Sequence, residues 1–156
     1  MGSQDAITFL IDLEGGYSNN PLDPGGETKY GISKKSYPSE DIKNLTKERA
    51  AFLYKRDYWD KIKGDLIPWP MNALIFDTAV HSGHDRAIKL AQKVFKLPQD
   101  GIIGPMTLNA VKHTNEDHCA NYLRERLDFM ISLNKPTFIK GWINRLFKLS
   151  LRCGNG

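Results

Sequence analysis

No apolar run in this sequence approaches the ~20 residues that a bilayer span requires, and its 156 residues include only two cysteines, Cys119 and Cys153. The first absence excludes a transmembrane helix. The second excludes the disulfide framework of a small secreted domain, and both thiols are expected to be free. There is also no low-complexity tract and no long block of like charge, which excludes extended disorder. Only Met1-Gly2-Ser3 and Cys153 to Gly156 are expected to be loose. The run from Ala6 to Leu13 is too short for a signal peptide, and Asp5 and Asp12 make it too acidic. The expectation is a protein made in the cytoplasm, whose work outside needs separate release.

Carboxylates are scarce toward the C-terminus: five cations and no Asp or Glu follow from Lys135 onward. The net charge is +4, yet residues 1–40 hold three Lys against six Asp or Glu, leaving +7 for the remainder. An acidic first quarter is not the footprint of a nucleic-acid binder, which concentrates cations on its working surface. The basic remainder suits an anionic macroscopic target such as a bacterial envelope.

What is present is mostly helical pattern. Ile7, Leu10, Ile11 and Glu14 share one side of a helix over residues 5–14, which Gly15 stops. Residues 15–33 carry too many Gly, Pro and Asn for a helix, and Tyr30 to Ser33 can pair as a short strand, so a small β-hairpin is expected. Thr46 opens a helix continuing through Tyr58 and Trp59, and Pro68 and Pro70 break the chain. The segment from Met71 to Ser82 is apolar all round and reads as the central buried helix. An amphipathic helix follows at 86–96 and further helices at 106–112, 116–133 and 138–149, with Gly101 and Gly104-Pro105 punctuating the loop before the second of them. The class is mainly α (α+β), in a single domain: a segment of about 5–70 bearing the candidate chemistry, then helices over about 71–150.

The first loop carries that chemistry. Cleaving a glycosidic bond needs one carboxyl to protonate the leaving oxygen and, in most enzymes, a second to activate water or attack. Glu14 fits the acid: at a helix C-terminus it faces the negative end of the helix dipole, which disfavours the charged form. A wall of Tyr17, Tyr30 and Trp59 would add desolvation. Asp23, nine residues on in a turn, fits the ionised partner; an Asp before Pro is also commonly an Asx-turn residue. Thr28 offers a hydroxyl that could hold a water. Asp77, inside the most apolar helix, reads either as a buried support or as a substrate contact.

The block Glu14-Gly15-Gly16-Tyr17 through Asp23-Pro24-Gly25-Gly26-Glu27-Thr28-Lys29-Tyr30-Gly31-Ile32 resembles the signature of family 108 of the glycoside hydrolases, bacterial and phage N-acetylmuramidases. The resemblance implies a lysozyme-like fold and Glu14 as catalytic acid. The Glu, Asp and Thr spacing is also similar, with one residue fewer before the threonine, to the triad of phage-type lysozymes. It continues through Tyr58-Trp59-Asp60 and Phe76 to Gly83, where His81 replaces the Asn more frequent in the family and becomes a candidate sugar contact. Asp100 to Leu108 is similar to peptidoglycan-binding modules, and Lys140 to Arg145 to the family's closing helix. The implied protein is a monomeric muramidase, of phage endolysin type and released through a holin, acting on peptidoglycan with no metal or organic cofactor. The rival is a module that holds glycan in the same cleft without cutting it.

Other constellations are weaker. His81 and His84 with Asp77 and Asp85 lack the spacing of a zinc hydrolase. Cys119 has His118 as sequence neighbour, which on a helix points elsewhere. The last helix pairs an apolar side (Ile139, Trp142, Ile143, Leu146) with Arg145, Lys148 and Arg152. It reads as a packed helix with a solvated basic face, able to make weak contact with an anionic membrane.

Overall fold

Ala6, Ile7, Leu10 and Ile11 are the buried side of α1 (Ser3–Glu14), and the helix ends where Gly15 adopts φ 78° and its N–H bonds the Ile11 carbonyl. In the computed structural model, which describes residues 2–155, α1 leads into a loop closed by β1 (Thr28–Lys29) and β2 (Ile32–Ser33). These strands pair antiparallel, Lys29 opposite Ile32, and Thr28 also bridges to Ser18. Tyr30 is therefore not in a strand: it and Gly31 form the two-residue turn, at φ 54° and 77°, as a tight hairpin demands.

Thr46 caps α2 (Lys47–Tyr54), its hydroxyl accepting the Arg49 N–H. The helix then widens into a π-helical turn, Lys55–Trp59, followed by a 3-10 turn at Gly64–Leu66. Helix α3 (Met71–Ser82) buries every residue from Met71 through Ala79, as expected for a central helix. Around it pack α1, α4 (His84–Val94) and α6 (Glu116–Ser132). Between the latter two lies α5 (Pro105–Val111), and α7 (Pro136–Gly154) folds back along α6. Most of the buried apolar residues form one cluster running from Ala6 to Leu149. Cys153, expected to be loose, is instead half-buried in the last turn of α7; Met1 and Gly156 lie outside the described residues.

The loop before α5 is tied down by buried Gln92. Its amide donates to Asp100 Oδ1 and the Ile102 carbonyl at 2.7 and 3.1 Å, and its oxygen accepts the Gly101 N–H at 3.0 Å.

Candidate active site

Glu14 is the last residue of α1, and its side chain is 26% exposed. It borders a groove of about 500 Å3 whose walls come from the end of α1, the hairpin turn at Gly31, the end of α3 and the groove-facing side of α7. The turn is fixed over Glu14 by three contacts. Tyr30 N–H bonds the Gly15 carbonyl at 3.0 Å, the buried Tyr54 hydroxyl donates to the Tyr30 carbonyl at 2.7 Å, and Gly31 packs on the glutamate itself. A Cβ at position 31 would lie 2.9 Å from Glu14 Cγ and collide with the Tyr54 hydroxyl. Glycine is required there twice over, by contact and by its positive φ.

Behind Glu14 lies a buried charge network. Arg145 of α7 donates from Nη1 to Glu14 Oε1 at 2.6 Å, and from Nε and Nη2 to the two Asp77 oxygens at 3.1 and 3.0 Å. Arg126 of α6, with no exposed surface, donates to Asp77 Oδ2 at 2.7 Å. Burial pushes the Asp77 carboxyl up, but the Arg126 and Arg145 guanidiniums outweigh it and hold it below the usual range. Burial lowers Arg145, yet the Asp77 and Glu14 carboxylates raise it overall. His81 sits on the groove side of this network, with Arg126 Nη2 3.4 Å from its Nδ1 and the Trp142 ring edge-on at 5.5 Å. Burial, then the charges of Arg145 and Arg126, push the imidazole down to about 4, so near neutrality it is an uncharged acceptor.

Several of the residues proposed from sequence lie elsewhere. Trp59 cannot form a wall for Glu14: it has no exposed surface and its indole N–H donates to Asp65 at 2.8 Å. Asp77 is 2% exposed with both oxygens engaged by arginines, the geometry of a buried support, and it does not line the groove. Tyr17 is exposed and its hydroxyl donates to Glu27 at 2.7 Å, while the partly buried Tyr30 ring packs against the core under Lys29. Neither lines the groove. Asp23 occupies an exposed Asx turn, Oδ1 accepting the Gly25 N–H at 2.8 Å. Thr28 is in β1, its backbone paired with Ser18. Of the eight proposed residues, the groove is lined by Glu14 and His81. Sequence reasoning missed Arg126 and Arg145, having left Arg145 on a solvated face. The available signal was Asp77 itself, because a carboxylate in an otherwise apolar helix needs a cation from elsewhere in the chain.

Residues 7–83 match the family model of glycosyl hydrolase 108, and residues 86–147 match a model described as a predicted peptidoglycan domain. Among solved structures the chain is similar to that of Brucella abortus SagA, at 34% identity and TM-score 0.85, over 97% of this chain and 92% of that one. The chain belongs to glycosyl hydrolase family 108. No curated protein matches it. As a family 108 glycosidase with a lysozyme-like fold, it builds the groove from both matched segments: Glu14 and His81 come from the first, Trp142 and Arg145 from the second.

Proposed function

We propose that this protein is a muramidase that hydrolyses the β-1,4 bond between N-acetylmuramic acid and N-acetylglucosamine in peptidoglycan, with Glu14 delivering the proton to the leaving oxygen. The observation that carries this reading is the position of Glu14, a partly exposed carboxyl on the wall of a groove formed where the glycosidase and peptidoglycan segments meet. Glu14 is ion-paired with Arg145. Proton delivery therefore goes with Arg145 yielding Glu14 as substrate enters. Its two bonds to Asp77 keep the guanidinium anchored while that third contact opens. Asp23 and Thr28 stand on the loop outside the groove lining, so for Asp23 to act as the second carboxylate, activating water or stabilising the oxocarbenium-like state, and Thr28 to position that water, the loop must close toward the bound glycan. The loop that carries both is tied at its base to the end of α1 by the Tyr30 to Gly15 hydrogen bond.

The exposed Phe147 and Leu151 beside Lys148 and Arg152 support a weak contact of α7 with an anionic membrane, read out by cosedimentation with phosphatidylglycerol vesicles.

The decisive test adds the purified protein and its Glu14→Gln variant to peptidoglycan and follows new reducing ends and fragment masses. The parent should release fragments with intact reducing ends, one water heavier than the anhydro products of a transglycosylase, and the variant should lose at least about 100-fold in rate. Undiminished digestion by a folded Glu14→Gln protein would overturn the assignment. Sedimentation with glycan but no new ends from either protein would make it a binding module.

A further inference from the structure

Gly141 is out of place. It is the sixth residue of a 19-residue helix, where glycine weakens the helix relative to alanine. Its φ lies outside the left-handed region, and no heavy atom lies within 4 Å of where a Cβ would be. Neither the backbone nor packing within the chain calls for the missing side chain. The position does, however, line the groove beside Glu14. Gly141, Asn144, Arg145 and Lys148 recur at the spacing of one helix face, and all four border that groove. Arg145 is committed to Glu14 and Asp77. Lys148 is exposed and has no carboxylate partner among the described residues, and Glu14 is the only acidic residue lining the groove. The face thus combines an unpaired cation, an amide and an open stretch of backbone.

We propose that this face of α7 is a subsite for the carboxylate-bearing arm of the glycan. Gly141 gives the sugar and its arm room to approach the helix beside Trp142, and Lys148 with Asn144 binds the carboxylate. The proposal deepens the muramidase reading, in which alternate sugars carry an acidic peptide stem, and it rests on that reading for the identity of the arm.

The test uses the full chain with bacterial sacculi and with sacculi whose carboxyls have been converted to methylamides by carbodiimide coupling. Cosedimentation on ice measures binding, and new reducing ends at working temperature measure cleavage. The parent should bind untreated sacculi at least about five-fold more tightly than the neutralised ones. Lys148→Ala should reduce that ratio to less than half, Lys148→Glu should abolish it, and Lys148→Arg should keep most of it. Lys112→Ala, which removes an exposed cation outside the groove, controls for bulk charge and should leave the ratio near the parent's. Gly141→Ala should raise Tm by about 2–4 °C through helix propensity and yet weaken binding several-fold. The subsite is overturned if Lys148→Ala behaves like Lys112→Ala, or if Gly141→Ala binds as tightly as the parent. Preferential binding that depends on Lys148 and Gly141, without new reducing ends, would support the subsite while sinking the muramidase reading alone.

Discussion

Asp77 and Gly31 show how single residues hold Glu14 in place. Asp77 receives three arginine hydrogen bonds in a nearly solvent-free site. Asp77→Asn would leave Arg126 buried without a counter-charge and Arg145 with Glu14 alone, and unfolding in urea should show a loss of about 3–5 kcal/mol. Arg126→Met should cost less in the same assay, because Asp77 keeps its two bonds to Arg145 and the methionine fills part of the volume. Gly31 acts through shape. Gly31→Ala places a methyl against Glu14 and the Tyr54 hydroxyl in a left-handed backbone conformation, which alone costs about 1–2 kcal/mol. The turn must move, and Glu14 with it. Release of reducing ends should fall at least about ten-fold, with a smaller relative change in Tm than Asp77→Asn produces.

At the scale of elements, the parts set by local chemistry were legible in the sequence. The Gly15 stop, the Thr46 cap, the break at Pro68 and Pro70 and the all-round apolar α3 appear where residue type and spacing put them. Glu14 at the end of α1 was legible for the same reason. What was not legible depends on helix phase and on which helices meet. An α-helical reading of residues 47–59 does not anticipate the π-turn at Lys55–Trp59, which shifts the phase of the residues beyond it. Trp59 consequently faces inward, onto Gly64, edge-on to Phe76 and bonded to Asp65. Phe52, an aromatic residue of α2, is 51% exposed beneath the guanidiniums of Arg49 and Arg56. Arg145 lies 131 residues from Glu14, so no local pattern joins them. The Trp59–Gly64 contact is testable: a Cβ at 64 would sit 2.6 Å from the indole Cδ2. Gly64→Ala should therefore cost about 1–3 kcal/mol as overpacking, measured by thermal or urea unfolding, while Phe52→Ala should change stability by less than about 1 kcal/mol.

The whole molecule gathers Asp77, Arg126, Arg145 and His81 from α3, α6 and α7 at one groove, and that arrangement sets its response to acid. His81 is held at about 4 in the folded protein by burial and by the two arginines, with Asp77 opposing them, whereas in the unfolded chain it titrates near ~6.5. Between those values the unfolded chain takes up a proton that the folded protein refuses, so stability rises with pH across the window. The contribution is fully present above pH ~6.5 and is progressively lost as pH falls toward 4. The ring is partly exposed, which trims the effect to about 2 kcal/mol by pH 4.5. Asp77, depressed by its arginines, adds a further loss only below its ordinary carboxylate range. Urea unfolding at pH 7.5 and 4.5 should show this difference in the parent. His81→Asn, which keeps a polar side chain but removes the titration, should shrink the pH 7.5 to 4.5 loss by about 2 kcal/mol. If the parent and His81→Asn lost stability in parallel over that range, the acid response would have to come from other groups and the neutral histidine would not be part of the network's balance.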